Sequence, residues 1–398
     1  MRSRTSTLLY TMLLVFCYAC APKEASLKWY KGNLHTHSYW SDGDEYPEMI
    51  MDWYKSHGYN FVALSDHNVL AEGEKWIKVA KSRMYEESFD NYLGKYGDSW
   101  VEYRIDSGRT LVKLKTYDKY KYLFEDENFL IIRSEEITDR FEGKPIHMNA
   151  TNVQKLIQPQ GGASVAEVMQ RNVDAVLKQR EETGIDILPH INHPNFYFAI
   201  STADMIQLRG ERFFEVYNGH PMVHNYGDSL RPGTEEMWDL INVAYVNRGQ
   251  ALMYGLATDD SHNYHQFGAS YSNAGRGWIM VQADSLQPGS LIKAMEQGKF
   301  YATTGVSLSA ITAENNKLEV TVEEQAGVSY VIEFVGVRKG ESKPEVFASV
   351  NGTRASFGVT ADHLFVRARV KSDRKKENPF QEGDMEMAWT QPVLFEKE

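Results

Sequence analysis

The chain has 398 residues, 42% of them hydrophobic, which is enough for one large domain of roughly 250 residues and a smaller one beside it. Its 54 acidic residues outnumber its 43 basic ones, for a formal charge of -11, and no basic block interrupts that balance. Nucleic acid and anionic lipid surfaces are thereby excluded as charge-driven partners, and a small anionic substrate would need cations to screen the field.

The first twenty residues, "MRSRTSTLLYTMLLVFCYAC", set Arg2 and Arg4 before an apolar run from Leu8 to Phe16, then Ala19 and Cys20. This pattern reads as an export signal over residues 1–20, and the run falls short of the ~20 residues that span a bilayer. Its end resembles a bacterial lipoprotein signal, in which Cys20 becomes the lipid-bearing first residue of the mature chain. That implies a lipid-anchored protein of the cell envelope whose membrane contact is made through Cys20. Ordinary cleavage leaving a free thiol is the alternative. Both cysteines, Cys17 and Cys20, lie here, so any metal held by the rest of the chain must sit on nitrogen and oxygen.

Next in the chain, "GNLHTHSYWSDG" (32–43) places His35 and His37 two residues apart, on one face of an extended strand, with Asp42 five positions on. Two imidazoles side by side suit a metal; taken alone they also suit a polar patch. The helical pattern "YPEMIMDWYKSHG", closed by Gly58, leads into a strand candidate "NFVALSDH" (60–67). Residues 84–128 are rich in tyrosine and charge and break the rhythm, as an insertion that forms either a lid over one face or a solvated excursion. Further strand candidates are "FLIIRSEE" (129–136), "PIHMNA" (145–150), "IDILPHINHP" (185–194), "RFFEVYNG" (212–219) and "ALMYGLATDD" (251–260). Helical patterns at 164–184 and 234–249, each closed by glycine, separate several of them, and strands alternating with helices imply a parallel sheet. From about residue 302 short alternating runs such as "KLEVTVEEQ" and "HLFVRARV" predict a small β-domain over 302–398, after a main domain over 27–300.

The apolar runs end repeatedly in residues that bind metals: "HTH" with Asp42, "SDHN" with His67, "SEEIT" with Glu135 and Glu136, "IHMNA" with His147, "NHPN" with His193, "DDSH" with Asp260 and His262. Each alone is weak; six in succession at strand ends, where an α/β barrel builds its active site, predict convergence. This order resembles the polymerase and histidinol phosphatase (PHP) superfamily of metal-dependent hydrolases over residues 30–300, and within it the carbaryl hydrolase-like lineage. The stretch "GKFYATTG" and the ending "AWTQPV" also resemble that lineage's C-terminal appendage. The resemblance implies a distorted (β/α)7 barrel followed by a small C-terminal β-domain, with two or three divalent ions of Zn, Mn or Fe. Carried over position by position, the ligands are His35, His37, Asp42, His67, Glu136, His147, His193, Asp260 and His262. The family often has histidine where this chain has Asp42.

Strand alternation puts Glu135 on the face of Arg133, where the two can pair, and Glu136 on the opposite face as the bridging carboxylate. His190 is expected as a core or supporting histidine. Asp66 is expected to orient a ligand, and Arg276 of "NAGRGW" either clamps an anionic oxygen of the substrate or makes a surface salt bridge. With neither a phosphate-binding glycine loop nor a G-x-S-x-G elbow, the chemistry falls to a metal-activated water. The expected reaction is hydrolysis of a small phosphate ester. Amide, carbamate or carboxylic ester hydrolysis is the alternative, and a surface binding lipoprotein with structural metals is the third.

Overall fold

A computed structural model describes residues 27–394. The expected export signal and Cys20 lie outside the described residues, and among these no helix is long and apolar enough to cross a membrane. The backbone is organised by one continuous thirteen-stranded sheet. Seven neighbouring strands carry the residues singled out above: Tyr254–Thr258, Phe213–Asn218, Leu188–Ile191, Lys144–Thr151, Leu130–Phe141, Phe61–Leu64 and Lys28–Asn33, in that spatial order. Several are buried along their whole length, as expected of strands covered on both faces, and their apolar runs have no alternation for that reason. Their two outer members meet: Asp260 N–H donates to the His35 carbonyl at 3.0 Å and His37 N–H to the Ser261 carbonyl at 2.9 Å.

The expected all-parallel order is corrected at one strand. Lys144–Thr151 runs antiparallel to both neighbours, because residues 130–151 form a hairpin and not two strands linked by a helix. Its turn is Glu142–Gly143, with φ of 48° and 80°, the left-handed pair of a tight hairpin turn whose twist matches that of the strands. The sheet also continues past Lys28–Asn33, antiparallel, through Trp278–Ala283, Phe300–Thr303, Met385–Thr390, His363–Lys375, Tyr330–Arg338 and Glu345–Asn351. The β-rich C-terminal region thus has its own core, around Val320, Ile332, Phe334 and Val366, yet shares this sheet with the rest.

Local signals explain the helices. Val165–Thr183 starts where the Ser164 side chain accepts the Glu167 N–H and stops at Gly184 in the left-handed conformation, φ 66°. Its Val165, Val168, Met169, Val173 and Val176, at i, i+3, i+4, i+8 and i+11, pack on the sheet. The insertion is more regular than expected. A helix, Arg83–Tyr96, and a three-stranded sheet of Trp76–Lys78, Arg109–Lys113 and Tyr103–Asp106 enclose an aromatic core with Trp40, Tyr46 and Tyr92, and a further helix, Tyr117–Phe124, packs Tyr120 and Phe124 against Ile50, Met51 and Phe129.

Candidate metal centre

All nine expected ligands come together at one end of the seven strands. Glu136 stands at the centre, buried: its Oε1 lies 3.4 Å from His35 Nε2, 3.2 Å from His147 Nδ1 and 3.4 Å from His193 Nε2. Its Oε2 lies 3.4 Å from His37 Nε2 and 2.7 Å from His67 Nδ1. Asp260 Oδ1 reaches His35 Nε2 at 3.2 Å and His37 Nε2 at 3.3 Å. At the exposed rim Asp42 meets His67 at 3.5 Å and His262 at 3.4 Å. The groups His37–Asp42–His67–His262, His35–His37–Asp260, His35–Glu136–His193 and His67–Glu136–His147 each offer ligand atoms within 4.8 Å of one another.

The backbone bends to present these side chains. Asn68, His193 and Asp260 adopt positive φ of 50°, 25° and 51°, conformations that non-glycine residues hold only where surrounding contacts enforce them. Glu136 and His147 reach the centre from the interior of the hairpin rather than from strand ends, in adjacent registers: Glu136 faces Asn149 and Thr138 faces His147. Glu135 turns away, as alternation requires, and accepts the Ile157 N–H at 2.7 Å. The expected Arg133–Glu135 pair does not form; Arg133 pairs with Glu72.

A supporting layer lies behind. Glu215, not singled out in the sequence, accepts from His35 Nδ1 at 2.7 Å, from Thr258 Oγ1 and the His193 N–H at 2.8 Å each, and from the Asn218 amide at 2.8 Å. It fixes the His35 proton on Nδ1 and leaves Nε2 free to bind an ion. The only hint in the sequence was a lone carboxylate within the apolar run "RFFEV". His190 is buried beside it, Nε2 3.5 Å from Glu215 Oε1. The Asn192 amide donates to Glu136 Oε1 at 2.7 Å. Asp66 accepts the Ser38 N–H, the Ser38 hydroxyl and, at 2.6 Å, the Ser41 hydroxyl, whose oxygen is 3.4 Å from His37 Nδ1; its carboxylate shapes the turn that carries Asp42, and its backbone carbonyl accepts the Glu136 N–H at 3.2 Å. Arg276 is corrected in role: its guanidinium donates to the carbonyls of Gly219, Tyr271, Gly268 and Asn378, so it braces loops and has no fork left for a substrate anion.

Opposite charges are drawn together at the centre of the cluster. Burial opposes ionisation of Glu136, yet His67, His35 and His147 hold its carboxyl well below the usual range. Burial likewise disfavours the His67 imidazolium, and Glu136 and Asp42 override it, lifting His67 to about 11. His37 goes the other way: burial, then His262 and His67, push it down to about 3. Both His35 Nε2 and His37 Nε2 are buried without a hydrogen-bond partner, aimed at Glu136 and Asp260. Paired lone pairs and carboxylates at such separations suit divalent ions held by nitrogen and oxygen.

No family model and no curated protein matches the chain. Solved structures resemble it loosely. A two-domain protein from Bacteroides vulgatus, described as containing a predicted PHP-like metal-dependent phosphoesterase, aligns with a TM-score of 0.42 at 13% identity over 92% of this chain and 96% of its own. A putative metal-dependent phosphoesterase from Bifidobacterium adolescentis aligns with a TM-score of 0.28 at 11% identity, over 59% of this chain and 88% of its own. An amidohydrolase from Chromobacterium violaceum with bound sulfate and no metal gives a TM-score of 0.28 at 11% identity, over 58% and 87%.

Proposed function

We propose that the chain is an exported metal-dependent hydrolase of the PHP superfamily, in its carbaryl hydrolase-like lineage, that cleaves a small phosphate ester at the histidine–carboxylate cluster. The meeting of the two outer strands at Thr36 and Ser261 supports reading the seven strands as that superfamily's distorted barrel. The observation that carries the functional reading is Glu136, one buried carboxylate with imidazoles at both oxygens: Oε1 faces His35, His147 and His193, while Oε2 faces His37 and His67. A carboxylate so surrounded can serve two ions at once. His35, His37 and Asp260 would hold one ion, His37, Asp42, His67 and His262 a second, and Glu136 would hold a third with His67 and His147 or with His35 and His193. Divalent Zn, Mn or Fe bound there supplies an activated water and neutralises charge on the ester oxygens.

The chain's own groups hold and shield this chemistry. Glu215 keeps His35 in the tautomer that binds, Asn192 steadies Glu136, and the buried walls keep bulk water from the inner histidines. Three carboxylates, Asp42, Glu136 and Asp260, would repel a phosphate unless cations outnumbered them, which favours an anionic substrate only in the loaded protein. The aromatic rim of Phe196 and the exposed Tyr197 favours one alternative, a carboxylic ester, amide or carbamate with an apolar leaving group.

The test is a comparison of nitrophenyl phosphate, bis(nitrophenyl) phosphate and nitrophenyl carboxylate and carbamate esters, with metals counted by elemental analysis. At least two ions per chain and turnover of a phosphate ester are expected. Turnover of carbonyl esters alone overturns the substrate class; active protein without metal overturns the centre. Anchorage in the cell envelope through Cys20 is tested by Cys20→Ala, which should release the protein from membranes.

A further inference from the structure

We propose that His220 is a further catalytic residue, a neutral imidazole that donates its Nε2–H to a substrate oxygen held over the cluster; this rests on reading the cluster as hydrolytic. His220 follows the strand Phe213–Asn218, as His193 follows Leu188–Ile191 and His67 follows Phe61–Leu64. Its ring lies edge-on between two others, 5.4 Å from Phe196 and 5.7 Å from His262. Phe196 in turn lies 5.0 Å from His193. His220 thus closes an arc from the group that contains His193 to the one that contains His262, at the half-buried mouth of the cluster.

The backbone fixes both its position and its proton. The His220 N–H donates to Asn218 Oδ1 at 2.8 Å, and the amide of the same Asn218 donates to Asp260 at 3.1 Å and Glu215 at 2.8 Å. The network that places Asp260 therefore places His220. The Met222 N–H donates to His220 Nδ1 at 3.1 Å, a role that only an unprotonated Nδ1 can accept. The proton of the neutral ring is then on Nε2, which has no hydrogen-bond partner among the described residues.

This distinguishes His220 from the five histidines around Glu136. Each of those has a carboxylate oxygen within 3.4 Å, whereas His220 pairs with none and belongs to none of the candidate ion-holding groups. It offers a hydrogen where they offer lone pairs. A preset donor beside the reacting centre stabilises the oxygen on which negative charge grows, and losing one such donor costs about 100-fold in turnover. The same donor suits a phosphoryl oxygen or the oxyanion of a carbonyl ester, so it does not depend on which ester is cleaved.

The experiment uses the metal-loaded full chain with His220→Ala and His220→Gln. The Ala variant is expected to keep its ions by elemental analysis, to bind inorganic phosphate about tenfold more weakly, and to lose about 100-fold in kcat with a smaller change in KM; the amide of the Gln variant should restore part of it. Long-range 1H–15N spectra of the parent should show the His220 proton on Nε2. Loss of an ion in the Ala variant makes His220 a ligand and overturns the proposal, as does a proton on Nδ1. Equal turnover in parent and Ala variant overturns it while the hydrolase reading stands. A parent that binds metals but turns over no ester fails the hydrolase reading instead, and phosphate affinity, changed or unchanged by His220→Ala, then decides for or against the donor.

Discussion

Two adjacent glutamates of one strand meet opposite fates, and that difference is set by single-residue geometry. Glu136 faces five imidazoles while Glu135 accepts a backbone N–H on the other side of the sheet. Glu136→Ala should therefore remove metal and activity together, whereas Glu135→Gln should keep both; elemental analysis beside an ester assay separates them, and the reverse pattern would refute the bridging role. Behind the cluster, Glu215→Gln should weaken metal binding about 10- to 100-fold, since the His35 tautomer loses its lock, read by competition against a metal indicator. A third residue concerns pH. Burial pushes Glu211 up to about 8, although the Arg212 and Phe213 N–H groups bond to it. Because the folded state holds this proton more tightly than the unfolded chain, the stability it adds is full below about pH 4.3 and is lost as pH rises through 8. Glu211→Gln should match the parent Tm near pH 4 and exceed it near pH 9; a variant that gains nothing at alkaline pH contradicts this. The histidines and acids that end apolar runs, and that the fold gathers around Glu136, were legible in the sequence. Glu215 and Asn192 were not, because they act on His193, His35 and Glu136, 22 to 180 residues away, and His220 was not, because its ring meets Phe196 and His262 only in the fold.

Elements with local start and stop signals were also legible. Ser164 and Gly184 bracket a helix as their chemistry dictates, and the composition break at 84–128 overlaps the helix and three-stranded sheet that pack around Tyr92. The hairpin at 130–151 was missed because its two strands lie between patterns that otherwise alternate with helices, and only the positive φ of Glu142 and Gly143 reveals the turn. The insertion is tied to the helix Pro47–Ser56 by one buried side chain: Glu48 Oε1 accepts the Tyr92 hydroxyl and the Trp100 indole N–H at 2.8 Å each. Glu48→Ala strands both donors in the interior and should cost about 2 kcal/mol. Since the cluster ligands lie outside the insertion, limited proteolysis should then nick residues 84–128 while metal content holds. Cleavage elsewhere, or loss of metal first, would show that the insertion is held by other contacts.

At the scale of the whole molecule the sequence pattern changes near residue 302, where the strand Phe300–Thr303 is hydrogen-bonded on both sides, to Trp278–Ala283 and to Met385–Thr390. No single sequence announces which distant strand will pair with which. Side chains reinforce the seam. Buried Arg367 binds Asp239 through two hydrogen bonds of 2.8 and 2.7 Å, and Gln391 exchanges hydrogen bonds of 2.9 Å with the backbone of Gly255. Removing only the cation leaves Asp239 buried and unpaired, so Arg367→Ala should destabilise the protein by about 3 kcal/mol. The cluster draws ligands from residue 35 to residue 262, so an ion bound there favours the folded chain alone, and a free metal concentration of 100 times Kd adds about 2.7 kcal/mol per site. Chelation should therefore lower Tm, and because the sheet is continuous the C-terminal strands should melt in the same transition as the half that carries the cluster. Near-ultraviolet circular dichroism and a metal-release indicator followed in one thermal scan test this. A C-terminal transition that precedes metal release, with the ions still bound, would mean that the shared sheet does not couple the two regions.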